Sequence, residues 1–168
     1  MVELIIEDGT GSPVANSYVT LAEVKAYVEQ TSKPLTNPDE DIIRSIIAAA
    51  RYMECITRFK GSRQTVDQAL QFPRKGLRDG DGNSLDGVIP VAIKRAQCQL
   101  VQDSFTSGQP LLSNAPTYAL KRRTLGPLTQ EWATGSGQVT APTDPHTMFW
   151  AYLEDYLRGG NVGGRVIR

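Results

Sequence analysis

The clearest pattern in the chain is an apolar stripe at helical spacing between residues 42 and 56. Ile42, Ile46, Ala49, Met53 and Ile56 share one face, widened by Ile43, Ile47 and Ala50. Arg44, Arg51, Glu54 and Arg58 lie away from it. So broad a stripe predicts a central helix touched from more than one side. Its start is marked as well: Asn37 is placed to cap, Pro38 fits the first helical position, and Asp39, Glu40 and Asp41 complement the positive end of the helix dipole.

The other elements follow from the same reasoning. Leu4-Ile5-Ile6 predicts a short strand ahead of a Gly/Ser/Pro/Asn loop. Thr20 and Glu23 have the spacing of a capping box, and Leu21, Val24 and Val28 continue a first helix that Lys33-Pro34 closes. From Lys60 to Ile89 turn formers dominate. Phe72-Pro73-Arg74 cannot continue a helix, because the residue before proline is pushed to extended geometry. Another helix starts near Pro90 with Ile93, Ala96, Leu100, Val101 and Phe105 on its apolar side, and Ser107-Gly108-Gln109-Pro110 ends it. After an irregular loop, Leu120–Leu125 and Leu128–Trp132 flank Gly126-Pro127 as a β-hairpin with a two-residue turn. That register sets Arg122 opposite Glu131 and Lys121 opposite Trp132. Residues 134–143 read as a flexible linker, and a last short helix beginning at Asp144-Pro145 carries Phe149, Tyr152, Leu153, Tyr156 and Leu157. The sum is a mainly α protein: a small bundle of about four helices with one β-hairpin and a glycine-rich C-terminal tail. Residues 1–158 form one domain, with the hairpin at about 119–132, and 159–168 form a docking tail.

Composition narrows what such a bundle does. Across 168 residues, 40% are hydrophobic and 21% charged, as expected of one folded domain. Eighteen basic residues balance eighteen acidic ones, so any nucleic-acid contact must come from a local patch. No apolar run reaches the roughly 18 residues that cross a bilayer, and Glu3, Glu7 and Asp8 stand where a signal peptide would carry basic residues. The expected place is therefore the cytoplasm of the cell that makes it. Cys55 and Cys98 both fall in predicted helices and read as small core residues.

No catalytic constellation emerges. His146 is the single histidine, reads as a surface residue in a helix's first turn, and has no identifiable partner for a triad. Two cysteines and one histidine do not make a zinc site. Asp79, Asp81 and Asn83 imitate the opening of an EF-hand loop, but Ser84 and Pro90 stand where glycine and glutamate are required, so a solvated turn is expected. No Walker-type loop is present, and no cofactor is implied. Two basic regions remain. Lys121, Arg122 and Arg123 alternate faces on a strand, which fits a solvated hairpin or a contact with DNA or an acidic neighbouring subunit. Arg58, Lys60, Arg63, Arg74, Lys75 and Arg78, with Phe59 and Phe72 among them, fit either a weak nucleic-acid footprint or a protein interface.

Several of these segments occur together in a familiar order. Ala15-Asn16-Ser17-Tyr18-Val19-Thr20 leads into the first helix, and Phe59-Lys60-Gly61-Ser62-Arg63 follows the isoleucine-rich one. Then come Gln68-Ala69-Leu70-Gln71-Phe72-Pro73-Arg74, Ile89-Pro90 and the Gly126-Pro127 hairpin. Over about residues 15–132 this order resembles the head–tail connector, or adaptor, proteins of tailed bacteriophages, whose close relatives are often labelled DnaT-like single-stranded DNA-binding proteins. The Gln-x-Leu-x-aromatic-Pro-Arg element at 68–74 is the distinctive part. Phe59 and Phe72 stand where many relatives carry tryptophan, a departure that keeps an aromatic anchor.

The resemblance implies a twelve-fold ring in the virion neck, assembled in the host cytoplasm and seated under the portal protein. It would receive a stopper or tail-completion protein below and continue the channel for passing double-stranded DNA, with no membrane partner. Family members typically grip the portal with a C-terminal segment. Here a tail with four glycines would lose about 1–2 kcal/mol of entropy per residue fixed, so it needs anchors. Arg165, Val166, Ile167 and Arg168 are the candidates. The hairpin residues Lys121, Arg122, Arg123, Glu131 and Trp132 would meet a neighbouring subunit, the DNA channel or the tail protein. The competing expectation is a single-stranded DNA-binding module, against which the balanced charge and 7% aromatic content weigh. A small enzyme is the remotest of the three.

Overall fold

A computed structural model describes residues 2–107, 111, 122–125, 128–131 and 146–158. It contains helices α1 (Leu21–Thr31), α2 (Asp39–Ile56), α3 (Val91–Ser107) and α4 (Thr147–Leu153), the last continued by a 3-10 turn at Glu154–Tyr156. Two small antiparallel pairs accompany them: β1 (Ser62–Arg63) with β2 (Arg74–Lys75), and β3 (Arg122–Leu125) with β4 (Leu128–Glu131). The protein is thus a mainly α bundle. Among the described residues no helix is long and apolar enough to cross a membrane.

α1 begins where its capping box predicts. The Thr20 hydroxyl accepts from the Glu23 amide at 3.1 Å, and the Glu23 carboxylate accepts from the Thr20 amide at 2.7 Å. α2 starts one residue later than its sequence suggests. Pro38, not Asn37, occupies the N-cap position, and no side chain caps it. Ile42, Ile46, Ala49, Ala50 and Met53 are buried along α2, but Ile56 is exposed, because the helix ends there and its last turn overhangs the core. Glu54 departs from expectation in the opposite direction. It turns inward to accept a 2.7 Å hydrogen bond from the Tyr18 hydroxyl.

The centre of the bundle is α3, which packs against α1, α2 and α4. Ile93, Ala96, Leu100 and Val101 are buried on it, and so is Gln97. That glutamine is fully satisfied. Its Oε1 accepts from the Tyr18 amide (3.0 Å), while Nε2 donates to Ser17 Oγ (3.0 Å) and to the Ile46 carbonyl (2.9 Å). One amide therefore ties the N-terminal loop, α2 and α3 together. α4 closes the bundle with Phe149 and Leu153 buried.

The expected strand at Leu4–Ile6 does not form; Ile6 makes only an isolated parallel bridge to Ser17. The next residue explains the interruption. The buried Glu7 carboxylate folds back to accept from the amides of Gly9 (3.0 Å), Gly11 (2.9 Å) and Ser12 (2.8 Å), which bends the chain into a closed loop. Asp79 does the same in its exposed turn, accepting from the amides of Asp81 (3.0 Å) and Asn83 (2.7 Å) and from Asn83 Nδ2 (2.9 Å). These bonds, led by the one from the Asn83 side chain, hold the Asp79 carboxyl below its usual range. Among the described residues no group of acids, cysteines and histidines is arranged to hold a metal ion.

Candidate functional site

The second basic region folds into a single loop cluster beyond the C-terminal end of α2. Phe59 and Phe72 are both buried there, their rings edge-to-face at 4.8 Å, with Tyr18 edge-on to Phe72 at 6.3 Å. Neither ring is available to stack on a base. This removes the aromatic part of the expected nucleic-acid footprint. Together with Leu70 and Leu77 the two rings supply the apolar core of this loop.

The chain arrives at this cluster through the 68–74 element. Gln68 Nε2 donates to the carbonyls of Leu70 (2.7 Å) and Pro73 (3.1 Å), and its Oε1 accepts from the Thr65 amide (3.0 Å). Gln71 Nε2 donates to the carbonyls of Glu54 and Thr57, both at 3.2 Å. The Phe72–Pro73 peptide is cis, and the Phe72 amide donates to the Tyr18 hydroxyl at 3.2 Å. Burial raises the Tyr18 pKa well above the normal phenolic range and raises that of the Glu54 carboxyl as well.

Arg74 completes the knot. It is only 7% exposed, and its guanidinium donates to four carbonyls: Lys60 (2.6 Å), Gly61 (2.9 Å), Gln71 (3.0 Å) and Phe59 (3.4 Å). Gly61 must approach this closely. It has φ +70°, and a β-carbon there would run into the Lys75 carbonyl. Arg63 is the strand partner of Arg74, and Ser62 that of Lys75. Arg158 joins from the far end of the chain. Its amide donates to the Arg58 carbonyl at 2.7 Å, and its guanidinium reaches the same Gly61 oxygen at 3.5 Å. Lys60 binds the other side of that turn, donating to the Asp155 carbonyl at 2.7 Å. Arg58, Lys60, Arg63, Lys75, Arg78 and Arg158 are all exposed. No spacing in the sequence places Arg158 here. The antiparallel bridge between Phe59 and Leu157 brings it in.

Other expected sites distribute differently. β3 and β4 pair in the anticipated register, with Arg122 opposite Glu131 and Arg123 opposite Gln130. Lys121, Trp132, the turn at 126–127, the linker at 134–143 and the tail residues Arg165, Val166, Ile167 and Arg168 lie outside the described residues. Cys98 is buried, and burial pushes its thiol up to about 12. Cys55 is exposed, contrary to expectation, because it lies beside Ile56 in the last turn of α2, which overhangs the core. His146 is not a surface residue either. It is 9% exposed, with Nδ1 2.8 Å from Asp103 Oδ2 and its ring edge-on to Tyr52. Asp103 also accepts from Gln99 Nε2 at 2.8 Å, so the pair joins α4 to α3 within the scaffold.

The described residues thus gather cations in one loop cluster, while the His146–Asp103 pair lies between α3 and α4. No match was found among curated proteins or among solved structures. A family model does match, over residues 2–168, and its description is "Putative DnaT-like ssDNA binding protein". Because the match spans nearly the whole chain and includes the loop cluster, the protein belongs to the DnaT-like ssDNA-binding family.

Proposed function

We propose that this chain is a non-catalytic structural adaptor of a phage neck. It assembles as a ring beneath the portal, receives the stopper or tail-completion protein below, and lets DNA pass through the channel. The resemblance over residues 15–132 supports this, whereas the family description names single-stranded DNA binding. One observation carries the choice between a DNA-channel subunit and a dedicated single-strand binder. No aromatic side chain is fully exposed among the described residues: Phe59 and Phe72 are buried, and Tyr156, whose carbonyl accepts from the Lys60 amide, is half-buried. Single-strand binders gain about 1–3 kcal/mol for each base stacked on an exposed ring. A channel subunit needs no such platform, since it must let DNA slide.

On this reading Arg165, Val166, Ile167 and Arg168 grip the portal, and the hairpin bearing Lys121, Arg122, Arg123, Glu131 and Trp132 reaches a subunit, the channel or the tail protein. A second reading, a single-stranded DNA-binding module, is favoured by the family description itself. Electron microscopy of the chain mixed with its portal, in the presence of a single-stranded oligonucleotide, separates them. The adaptor reading expects rings on the narrow end of the portal. Protein found on the oligonucleotide with bare portals would establish the second reading instead.

A further inference from the structure

Three cations elsewhere on the surface, Lys25, Arg44 and Lys94, have an acid beside them. Lys25 pairs with Asp39 at 2.6 Å, Arg44 with Glu40 and Asp41 at 3.6 Å, and Lys94 with Glu23 at 3.0 Å. The loop cluster is built otherwise. Arg63 and Arg74 face each other across β1 and β2, where like charges repel. The guanidinium groups of Arg74 and Arg158 share one carbonyl oxygen, and Lys60 borders them. Every hydrogen bond these four cations make is to a carbonyl. A carbonyl satisfies a donor without cancelling its charge. Among the described residues none of the four is in an ion pair with a carboxylate.

The crowding acts on Arg74. Burial lowers its pKa most, and the charges of Arg158 and Arg63 lower it further. Glu54 acts on it favourably from a distance, but its carboxylate is turned toward the Tyr18 hydroxyl. Three arginines and a lysine from three separate segments therefore converge in a chain with zero net charge. Such an arrangement is costly when empty and relieved by a bound anion.

We propose that Lys60, Arg63, Arg74 and Arg158 form a cradle for phosphodiester groups of a nucleic-acid backbone. Arg74 is pinned and supplies a fixed positive potential. Arg63 and Arg158 are exposed and present the planar donor forks that match phosphate oxygens. With Phe59 and Phe72 buried, the cradle reads backbone and not bases, so it takes any sequence. The proposal rests on the reading that DNA runs past this protein.

The test uses the full chain, a random-sequence duplex and a single-stranded oligonucleotide of equal length, titrated across a salt series. The double variant Arg63→Gln, Arg158→Gln is compared with wild type and with Arg44→Gln. Arg44 is exposed and lies about 18 Å along α2 from that helix's C-terminal end. The double variant is expected to weaken duplex binding about tenfold or more at low salt and to reduce the slope of log K against log salt by about two. Both exposed changes leave the melting temperature in place, and Arg44→Gln stays within about twofold of wild type. A preference for one oligonucleotide identifies which strand form supplies the phosphates. Unchanged binding in the double variant overturns the cradle, and so does a wild type that binds neither oligonucleotide. A poly-glutamate peptide that binds as tightly as DNA overturns the choice of phosphate. Portal rings formed by a double variant with normal DNA binding would sink the cradle alone. An absence of rings with wild type, alongside lost DNA binding in the variant, would sink the adaptor reading alone.

Discussion

Ile46 in α2 and Phe72 in the loop beyond it are both wholly buried, yet different physics holds each in place. Ile46 belongs to a seam of apolar side chains three and four residues apart, packed against α3. Its position follows from local periodicity and from the roughly 25 cal/mol that each buried Å² of apolar surface contributes. Phe72 belongs to a knot whose polar groups come from distant parts of the chain: the hydroxyl of Tyr18, the carboxyl of Glu54, the amide of Gln71 and the guanidinium of Arg74. Such a knot stabilises only while every member is satisfied, since an orphaned buried polar group costs about 1–3 kcal/mol. The seam tolerates change gradually, whereas the knot is expected to fail as a unit.

The largest expected effect tests whether the knot is as much a core as the seam. Phe72→Ala removes the ring that contacts both Phe59 and Tyr18, and should cost about 3–5 kcal/mol, read as a lower urea midpoint. A loss below about 1 kcal/mol would mean that the loop is merely draped over the bundle.

A smaller effect exposes the polar side of the comparison through pH. Burial raises the Glu54 carboxyl above its ordinary 4.5, so the folded protein favours the protonated form. As pH climbs past the unfolded value, the unfolded chain releases this proton first, and folding is penalised. The stability contributed by Glu54 is therefore fully present below about 4.5 and is lost as pH rises through the elevated folded value. Urea titrations of wild type and Glu54→Gln across this range should diverge, with the variant gaining on the wild type as pH increases. Parallel curves would show that the carboxyl is not part of a buried network.

The smallest effect belongs to the helical side. Thr20→Ala deletes half of the capping box and should cost about 1 kcal/mol, with thermal melting as the readout. No change would mean that packing of Val24 and Val28 alone sets the start of α1.

The same contrast explains what could be read from the residues beforehand. The four helices, the capping box, the α2 stripe and the register of Arg122 against Glu131 are local patterns, and they appear where the spacing puts them. The missed features are long-range. Glu54 looks like a surface residue until Tyr18, 36 positions away, is brought against it. His146 looks exposed until α4 folds onto Asp103, 43 positions away. Arg158 joins the basic cluster only through a bridge from Leu157 to Phe59. The cluster's other cations are visible in the sequence, but the burial of Phe59 and Phe72 is not. That burial is what turns the reading from base stacking toward backbone contact.

The central claim, a ring adaptor held to the portal, is tested most directly by imaging portal particles mixed with the full chain and with a chain lacking residues 159–168. The account predicts rings on the narrow end of the portal with the full chain, and bare portals with the shortened one despite an unchanged melting temperature. Rings with both chains would contradict the assignment of the tail, and bare portals with both would contradict the adaptor itself.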